Sequence, residues 1–278
     1  MKRLFKILLA VCILVCLCGW IVWGNTAIQI NEYTVKSERL PAEFSGFRIA
    51  QVSDLHNAEF GDNNAELVKK LQKTEPDIIV LTGDLIDSRK TKIDVAVQFA
   101  SACTKLAPTY YVSGNHESRG GYETLKEGLL SVGVILLEDT ETFLEKDGAR
   151  IRLVGVVDPD FRKNVYETDT DYMQKTLSKF SWGVEYTVLL SHRPELFACY
   201  VAVDADLVFS GHAHGGQFRL PFIGGMFAPD QGFFPSYDAG LYTQEQTNML
   251  VSRGLGNSLF PFRVNNRPEI VVATLVNA

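Results

Sequence analysis

The sequence predicts one α/β domain that follows a single membrane-spanning helix. Three observations predict this class: apolar strand-like segments that alternate with amphipathic helical segments, a middle region of short strands, and a charge-free apolar run near the N-terminus. With 278 residues, 46% of them apolar, the chain can bury a sizeable core and is not wholly disordered. Five cysteines are too few for a disulfide-dense scaffold. The formal net charge of −6 argues against a general nucleic-acid binder, although it leaves room for a local basic patch.

Residues 1–23 are predicted to be a transmembrane anchor. The apolar run 7–23 gives about 26 Å of helix, which crosses a bilayer core with help from its flanks. A cleaved signal peptide is the alternative, but no A-x-A-like site follows and the run exceeds a usual signal-peptide core. By the positive-inside rule the chain is a single-pass protein of the cell membrane with its domain on the extracytoplasmic side, because three basic residues precede the run: Lys2, Arg3 and Lys6.

The part beyond the anchor is acidic, with 24 basic and 33 acidic residues and a formal net charge of −9. Residues 24–46 are interpreted as a tether with an extended segment, and residues 47–278 as the folded domain. Cys103 and Cys199 lie in this domain and either form a disulfide or remain buried free thiols. Nothing in the sequence brings them together, which favours free thiols. The sequence does not fix the oligomeric state.

The domain begins with three strand–helix pairs. Strands are predicted at 47–53, 77–83 and 108–114, with helices at 65–73, 94–105 and 122–131. Continuous apolar strands that alternate with amphipathic helices are typical of a parallel sheet covered on both faces. The middle region 132–157 is predicted to form three short strands, with a turn at Asp147-Gly148. A helix at 171–179 and strands at 186–192, 205–211, 248–252 and 269–275 follow, which indicates a mixed second sheet in the same domain.

All five histidines follow predicted apolar strands, within short polar clusters. The clusters contain His56, His116, His192, His212 and His214, and Asp84 follows another strand in the same way. Ligands of open α/β sheets bind at the carboxyl ends of the strands, so these side chains are expected to converge on one crevice. A single histidine at a strand end is more often structural, but five in such positions favour a site.

The residue types in these clusters predict a two-metal centre. No cysteine is present, and imidazole, carboxylate and amide oxygen ligands suit Mn²⁺, Fe or Zn²⁺. One tetrahedral site needs four ligands, whereas this sequence offers seven, which predicts two divalent ions that share a bridge: Asp54, His56, Asp84, Asn115, His192, His212 and His214. Asp84, with two carboxylate oxygens and no adjacent histidine, is the expected bridge. Two such ions clamp a phosphoester and activate water.

His116 remains after the metal ligands are assigned. An imidazole beside the leaving oxygen would act as general acid or stabilise the charge that develops there. The ordered set D-x-H, G-D, G-N-H-E, H and G-H-x-H, from Asp54 to His214, resembles the calcineurin-like metallophosphoesterases. The resemblance implies an αββα sandwich of two mixed sheets around a dinuclear centre, with His116 as the catalytic histidine.

The same resemblance implies how the ligands divide between the metals. One metal would be held by Asp54, His56 and His214 and the other by Asn115, His192 and His212, with Asp84 between them. The segments GHAHGGQFRLPFIG and SRGLG, together with the anchor, look like a membrane-anchored branch of the family. That branch includes hydrolases of UDP-2,3-diacylglucosamine, a lipid A precursor, and less well-defined phosphodiesterases.

The loops beyond His214 are rich in aromatic residues. They contain Phe222, Phe227, Phe233, Phe234, Phe260 and Phe262. These side chains either form an apolar lip that touches the membrane or an acyl chain, or pack beneath the second sheet, and the frequent burial of phenylalanine favours packing.

Four downstream polar residues are candidates for contacts with substrate phosphate oxygens: Arg219, Arg253, Asn257 and Arg263. Solvated surface positions are the alternative.

These observations favour a membrane-anchored, metal-dependent phosphoesterase that directs water at a phosphodiester, pyrophosphate or monoester bond, with a lipid-linked substrate as one candidate. A general exported phosphatase or nucleotidase is the alternative among enzymes. A metal-stabilised binding scaffold is a third interpretation, but it leaves His116 without a role.

Overall fold

In the computed structural model, which describes residues 2–258 and 260–278, two six-stranded sheets pack face to face and helices cover their outer faces. Met1 and Leu259, which belong to the predicted anchor and domain, lie outside the described residues. This is the αββα sandwich of two mixed sheets that the family resemblance implies, preceded by one long apolar helix.

The strands and helices are numbered in chain order. The first eight strands are β1 Gln29–Ser37, β2 Arg48–Val52, β3 Ile78–Thr82, β4 Thr109–Val112, β5 Ile135–Leu136, β6 Thr140–Lys146, β7 Ala149–Gly155 and β8 Thr187–Leu190. The others are β9 Leu207–Ser210, β10 Arg219–Leu220, β11 Gly224–Gly225, β12 Phe227–Ala228, β13 Gly232–Phe233, β14 Gly240–Gln244, β15 Thr247–Val251 and β16 Glu269–Asn277. The helices are α1 Lys2–Thr26, α2 Ala65–Gln72, α3 Ile93–Thr104, α4 Asn115–Ser118, α5 Tyr122–Ser131, α6 Asp169–Leu177 and α7 Phe197–Val201.

Both large sheets are mainly parallel. The first has the order β1-β16-β2-β3-β4-β5, and only the β16–β2 pair is antiparallel. The second has the order β14-β15-β9-β8-β7-β6, with antiparallel pairs at its two edges. Strands β10 to β13 form two small hairpins outside the sheets. The parallel centres of both sheets place the carboxyl ends of β2, β3, β4, β8 and β9 at one edge of the sandwich.

The alternation of side chains along β3 shows how the layers are held together. Ile79 and Leu81 pack against the cluster that contains Phe99 of α3, and Val80 packs between the sheets with Leu190. Every residue of β3 is buried, which explains its continuous apolar sequence. A third cluster lies between the second sheet and helices α6 and α7. Each buried aliphatic side chain stabilises the fold by about 1.5–3 kcal/mol.

Helix α1 has no buried residue, and an 18-residue stretch of it has a mean hydropathy of 2.7. It is the one helix in the described part of the chain that is long and apolar enough to cross a membrane. It continues three residues beyond the predicted anchor and contacts the domain in its last turn. There, Asn25 Nδ2 donates to the carbonyl oxygen of Arg263 at 3.1 Å, and Asn25 Oδ1 accepts from the Arg263 backbone N–H at 2.7 Å.

The predicted central strands and helices agree with the structure to within two residues at each end. The segment 24–46, predicted to be a tether with an extended segment, contains a strand. Its extended part is the nine-residue strand β1, which pairs in parallel with β16 along its whole length and forms an edge of the first sheet. Within the described residues all five cysteines are free, and Cys103 and Cys199 are buried.

Candidate metal centre

The loops that follow five parallel strands bring all seven predicted metal ligands and His116 together. Asp54 and His56 follow β2, and Asp84 follows β3. Asn115 and His116 begin α4 directly after β4. His192 follows β8, and His212 and His214 follow β9. All eight side chains are buried, although each carries a polar or ionisable group.

The backbone around these residues is strained. Five of the seven predicted ligands have φ between 46° and 65°, in the left-handed region: Asp54, His56, Asp84, His212 and His214. Each such residue costs roughly 1 kcal/mol or more and clusters of them are typical of functional sites. Gly83 has φ 88°, and a Cβ atom there would lie 2.6 Å from Gly114 N and 2.7 Å from His192 Nδ1. The G-D motif therefore needs glycine for both backbone conformation and space.

One group of potential ligand atoms contains Asp54, His56, Asp84 and His214. His56 Nε2 lies 3.5 Å from Asp84 Oδ2 and 3.1 Å from His214 Nε2. His214 Nε2 lies 3.5 Å from Asp54 Oδ1. These four atoms surround one small space with two ring nitrogens and two carboxylate oxygens.

A second group contains Asp84, His192 and His212, with Asn115 beside them. His192 Nε2 lies 3.3 Å from Asp84 Oδ2. The side-chain oxygen of Asn115 lies 3.0 Å from His212 Nδ1, 3.2 Å from Asp84 Oδ2 and 3.3 Å from His192 Nε2. Two further groups of potential ligand atoms overlap with these, namely His56, Asp87 and His116, and Glu195, His212 and Asp230. The division of the ligands between two metals stays a prediction.

Asp84 belongs to both groups, and its two oxygens have different roles. Oδ1 accepts a hydrogen bond from the His116 backbone N–H at 2.8 Å. Oδ2 faces His56 on one side and His192 on the other. Asp84 would therefore be shared by the two groups, and its Oδ1 contact fixes the orientation of the carboxylate.

The charges and donors of the site fit two bound cations. With His192 neutral, the side-chain oxygen of Asn115 faces three other acceptors, and either a cation between them or a rotated Asn115 amide relieves the repulsion. Burial lowers the pKa of His56 to about 3, so its ring stays neutral and offers a lone pair. Burial opposes protonation of His192 as well, but the carboxylates of Asp84 and Asp54 outweigh it and raise its pKa to about 10. The two buried carboxylates thus draw positive charge into the space between the rings.

Neighbouring groups orient two of the imidazoles. His192 Nδ1 donates to the carbonyl oxygen of Thr82 at 2.7 Å, so once a cation displaces the proton from Nε2, the lone pair of Nε2 faces Asp84. His212 Nε2 donates to Asp230 Oδ2 at 2.9 Å, which leaves Nδ1 facing Asn115. Such outer contacts fix the tautomer and raise the basicity of a metal-bound imidazole.

The residues that orient the predicted ligands were not predicted from the sequence. Asp230 also pairs with Arg193, whose guanidinium makes a bidentate contact with buried Asp158 at 2.7 and 3.0 Å. Buried Glu117 accepts from the backbone N–H groups of Asp84 and Gly114 at 2.8 and 2.7 Å. Glu117 belongs to the G-N-H-E motif, so its role near the site could have been predicted from the sequence. The loop that contains Asp230 has no such motif.

His116 lies beside the first group with its ring edge toward His56, at 4.5 Å between ring centroids. Its Nδ1 accepts from the Ser88 backbone N–H at 3.1 Å, so the neutral ring carries its proton on Nε2. Nε2 lies 3.5 Å from Ser258 Oγ, and both residues line the cavity over the centre. The structure therefore orients a proton donor toward the cavity.

The cavity over the centre has a volume of about 380 Å³. Asn115, His116, His212 and His214 line one part of it. The rest includes the cations Arg89 and Arg119 and the apolar side chains Phe227, Pro229 and Phe260. The space is large enough for a phosphoester with one organic group.

None of the four predicted substrate-binding residues lines this cavity. Arg219 pairs with Asp238 and the carbonyl oxygen of Gly215, both at 2.9 Å. Arg263 is fully buried and donates to carbonyl oxygens and to Asn257, although its Nη2 lies 3.4 Å from His214 Nδ1. Arg253 lines a separate pocket beside α1. Contact of these residues with substrate stays a prediction.

The aromatic loops are largely exposed. Phe222, Ile223, Phe233 and Phe234 all expose more than half of their side chains, with Phe222 fully exposed. The structure therefore does not bear out their packing beneath the second sheet, because they occupy the short hairpins β10–β11 and β12–β13 outside it.

The chain matches the family model described as calcineurin-like phosphoesterase over residues 47–216. It is 32% identical over 259 residues to an uncharacterised metallophosphoesterase, YkuE, of Bacillus subtilis, covering 89% of this chain and 85% of that protein. It is 28% identical to the phosphodiesterase YaeI of Escherichia coli, covering 83% and 82%. It is also 28% identical to a transmembrane protein with metallophosphoesterase domain of Danio rerio, covering 90% of this chain and 58% of that protein.

The chain therefore belongs to the calcineurin-like phosphoesterase family, as its motifs predict. It is a metallophosphoesterase, a hydrolase of phosphoester bonds. The family uses dinuclear metal centres, and in this chain the candidate ligands form one cluster around Asp84.

Proposed function

We propose that this chain is a membrane-anchored phosphoesterase that hydrolyses a lipid-linked substrate on the extracytoplasmic face of the membrane. The observation that carries the catalytic part is the geometry of Asp84, whose Oδ2 faces both groups of ligand atoms beside a proton-bearing His116. The ions would be held by Asp54, His56 and His214 and by Asn115, His192 and His212, with Asp84 shared. Mn²⁺, Fe and Zn²⁺ all suit these ligands.

When bound, two divalent cations lower the pKa of a water molecule and offset the charge on the phosphoryl oxygens. The residues of the chain supply the remaining functions. His116 donates the proton on Nε2 to the leaving oxygen as the bond between phosphorus and that oxygen breaks. Water supplies the new oxygen on phosphorus, so that a diester yields a monoester and an alcohol. Arg89 and Arg119 lie at the cavity, where they attract the anionic substrate.

Two features support action at a membrane. Helix α1 ends against the loop that contains Arg263, so the domain lies directly at the end of the apolar segment. The hairpin β10–β11, which carries exposed Phe222 and Ile223, adjoins this loop because the Arg219 N–H donates to the carbonyl oxygen of Val264 at 3.0 Å. An exposed apolar hairpin beside a membrane helix is suited to an acylated phosphoester such as UDP-2,3-diacylglucosamine.

The catalytic proposal is tested with the full chain in detergent, bis-p-nitrophenyl phosphate and Mn²⁺. We expect hydrolysis by the wild type, and a roughly 10²–10⁴-fold lower rate for His116→Ala with an unchanged metal content by elemental analysis. Glu123→Ala, an exposed substitution in the first turn of α5, should keep the wild-type rate. A protein that binds metal but hydrolyses nothing would instead be a binding scaffold.

The substrate class is tested by mass spectrometry of membrane lipid extracts incubated with wild type or His116→Ala. A phosphorylated lipid that wild type alone consumes would support the proposal, whereas exclusive turnover of soluble nucleotides or phosphomonoesters would identify a general exported phosphatase. Phe222→Ser with Ile223→Ser should lower the rate on a micellar substrate about tenfold and not the rate on a soluble one. The matched pair Val165→Ser with Tyr166→Ser, equally exposed in another loop, should change neither rate.

A further inference from the structure

A second pocket lies where helix α1 meets the domain. It has a volume of about 190 Å³, and we call it the junction pocket. Trp20 and Trp23 line it on the helix side, and Arg253, Arg263 and Arg267 line it on the domain side. Apart from these residues only small or uncharged groups line it, so three arginines lie around one small space.

Two of these guanidinium groups lack an anionic partner. Arg263 donates to the carbonyl oxygens of Arg253 and Gly256, which are neutral. Arg267 donates from Nε to the carbonyl oxygen of Ala27 at 2.7 Å. Within residues 2–258 and 260–278, neither forms a salt bridge. A basic cluster of this kind, partly removed from water, is stabilised by an anion.

Arg253 is partly exposed, with 23% of its side chain accessible. Its Nε lies 3.6 Å from Glu269 Oε2, beyond hydrogen-bond distance, and is buried without a partner in the described chain. Glu269 is already occupied, because it accepts from the Arg253 backbone N–H at 2.6 Å and from Asn31. The junction pocket therefore has three arginines and one nearby carboxylate, that of Glu269, and its net charge is positive.

The position of the pocket indicates which anion it would meet. Trp20 and Trp23 lie in the last two turns of α1, and tryptophan is enriched where a membrane helix passes the headgroup layer. The guanidinium carbon of Arg267 lies 4.6 Å from the ring centroid of Trp23, which holds the cation at that level. Lipid phosphates occupy the same layer, and arginine binds phosphate through two parallel hydrogen bonds.

We propose that the junction pocket binds the phosphate of an anionic membrane lipid and thereby holds the domain against the membrane. The proposal rests on the membrane placement of α1 in the proposed function. It does not concern the substrate site, because the pocket shares no lining residue with the cavity over the metal centre. Arg263 is the nearest connection, with Nη2 3.4 Å from His214 Nδ1.

The test measures lipid binding to the full chain in a neutral detergent by native mass spectrometry. The probes are dioleoylphosphatidylglycerol, dioleoylphosphatidylcholine and inorganic phosphate. We expect wild type to prefer phosphatidylglycerol to phosphatidylcholine, and Arg253→Gln or Arg267→Gln each to weaken phosphatidylglycerol binding roughly fivefold. Arg253→Lys, which keeps the positive charge, should retain most of the phosphatidylglycerol binding. Arg150→Gln, an exposed arginine on the second sheet, is the charge-matched control and should bind as wild type does.

Equal binding of both lipids by wild type, or an unchanged preference in both glutamine variants, would overturn the proposal. Binding of inorganic phosphate with the same dependence on Arg253 but no binding of lipid would show a soluble anion site instead. Thermal unfolding checks that the variants fold. If one of the two glutamine variants does not fold, the other still tests the proposal. Because lipid binding is measured without turnover, an inactive wild type would remove the proposed function and leave this result standing.

Discussion

His212 is held from two directions, and only one of them involves the predicted metal ligands. The Nδ1 atom of His212 faces Asn115, while its Nε2 atom donates to Asp230. Asp230 pairs with Arg193, and Arg193 also pairs with buried Asp158. The hydrogen bond from His212 and the charge of Arg193 hold the pKa of Asp230 down at about 2, so it remains an anion across the working range of an enzyme. Asp230 is thus a positioning residue for His212.

We expect Asp230→Ala to weaken Mn²⁺ binding 10- to 100-fold, since the tautomer and orientation of His212 are no longer fixed. Calorimetric titration of Mn²⁺ into metal-free protein measures this change directly. Asp160→Ala is the matched control, because Asp160 also pairs with Arg193, at 3.0 Å, whereas in the part of the chain that the structure describes no hydrogen bond or salt bridge joins it to His212. Equal losses in the two variants would assign the effect to Arg193 rather than to His212.

Asp206, remote from the metal centre, gives a pH-dependent contribution to stability. Its carboxylate accepts from the Thr187 N–H at 2.8 Å and pairs with Arg39 at 3.1 Å, yet burial raises its pKa to about 6. The folded-state pKa therefore lies above the unfolded value of about 4. Its contribution to stability is full below about pH 4 and is lost as the pH rises through 6.

Asp206→Asn should remove this dependence. The unfolding free energy of wild type minus that of the variant should fall by about 2–3 kcal/mol between pH 4 and pH 7, the value of two pKa units. Chemical denaturation in detergent at both pH values measures it. Asp147→Asn, exposed in the turn between β6 and β7, should leave the difference constant, and a flat difference for Asp206→Asn would show that Arg39 fully compensates the buried charge.

Among the secondary-structure elements, α1 is coupled to the metal centre by a short path. Asn25 makes two hydrogen bonds with the backbone of Arg263, and the Arg263 guanidinium lies against His214. Asn25→Ala removes both bonds, which should destabilise the Arg263 loop by roughly 1–3 kcal/mol. Hydrogen exchange at the Arg263 amide should become at least about fivefold faster.

The neighbouring substitution Thr26→Ala is the control, because among the described residues Thr26 Oγ1 bonds only to the carbonyl oxygen of Val22, within its own helix. Unchanged protection of Arg263 in Asn25→Ala would show that the loop is held by its own contacts and not by the helix. A slower hydrolysis of bis-p-nitrophenyl phosphate in Asn25→Ala alone would show that the coupling reaches the centre.

The central elements could be predicted from sequence because their signals are local. The buried strand β3 reads as an unbroken apolar run, and helix α5 has the predicted bounds because its apolar residues recur at helical spacing. Strand β1 could not be recognised as an edge strand, since its partner β16 lies about 240 residues away and no local pattern encodes that pairing.

The convergence of the histidines could be predicted for a related reason. Parallel strands end at one edge, so a polar residue after each apolar run reaches the same place. The charged residues that surround the histidine cluster could not be predicted. Asp230 and Asp158 carry no motif, and the inward position of Arg263 depends on a loop whose contacts with Asn25 join segments 238 residues apart.

For the whole molecule, the metal centre lies where the two sheets meet, so it should contribute to global stability. Asp54 and Asp84 are fully buried carboxylates, and burial raises the pKa of Asp54. Without cations, the repulsion between these two carboxylates opposes folding. With cations bound between them, both carboxylates attract the ions instead. A ligand at 100 times its Kd stabilises the folded state by about 2.7 kcal/mol.

Removal of metal by a chelator should therefore lower Tm, and added Mn²⁺ should restore it by roughly 5–10 °C for a domain of this size. Asp84→Asn should abolish most of the Mn²⁺-dependent shift, because it weakens both groups of ligands at once. Asp94→Asn, an exposed carboxylate in the first turn of α3, should keep the shift. A Tm that does not respond to Mn²⁺, Fe²⁺ or Zn²⁺ in wild type would contradict the two-metal centre, since a cluster at the junction of both sheets cannot bind ions without stabilising the fold that assembles it.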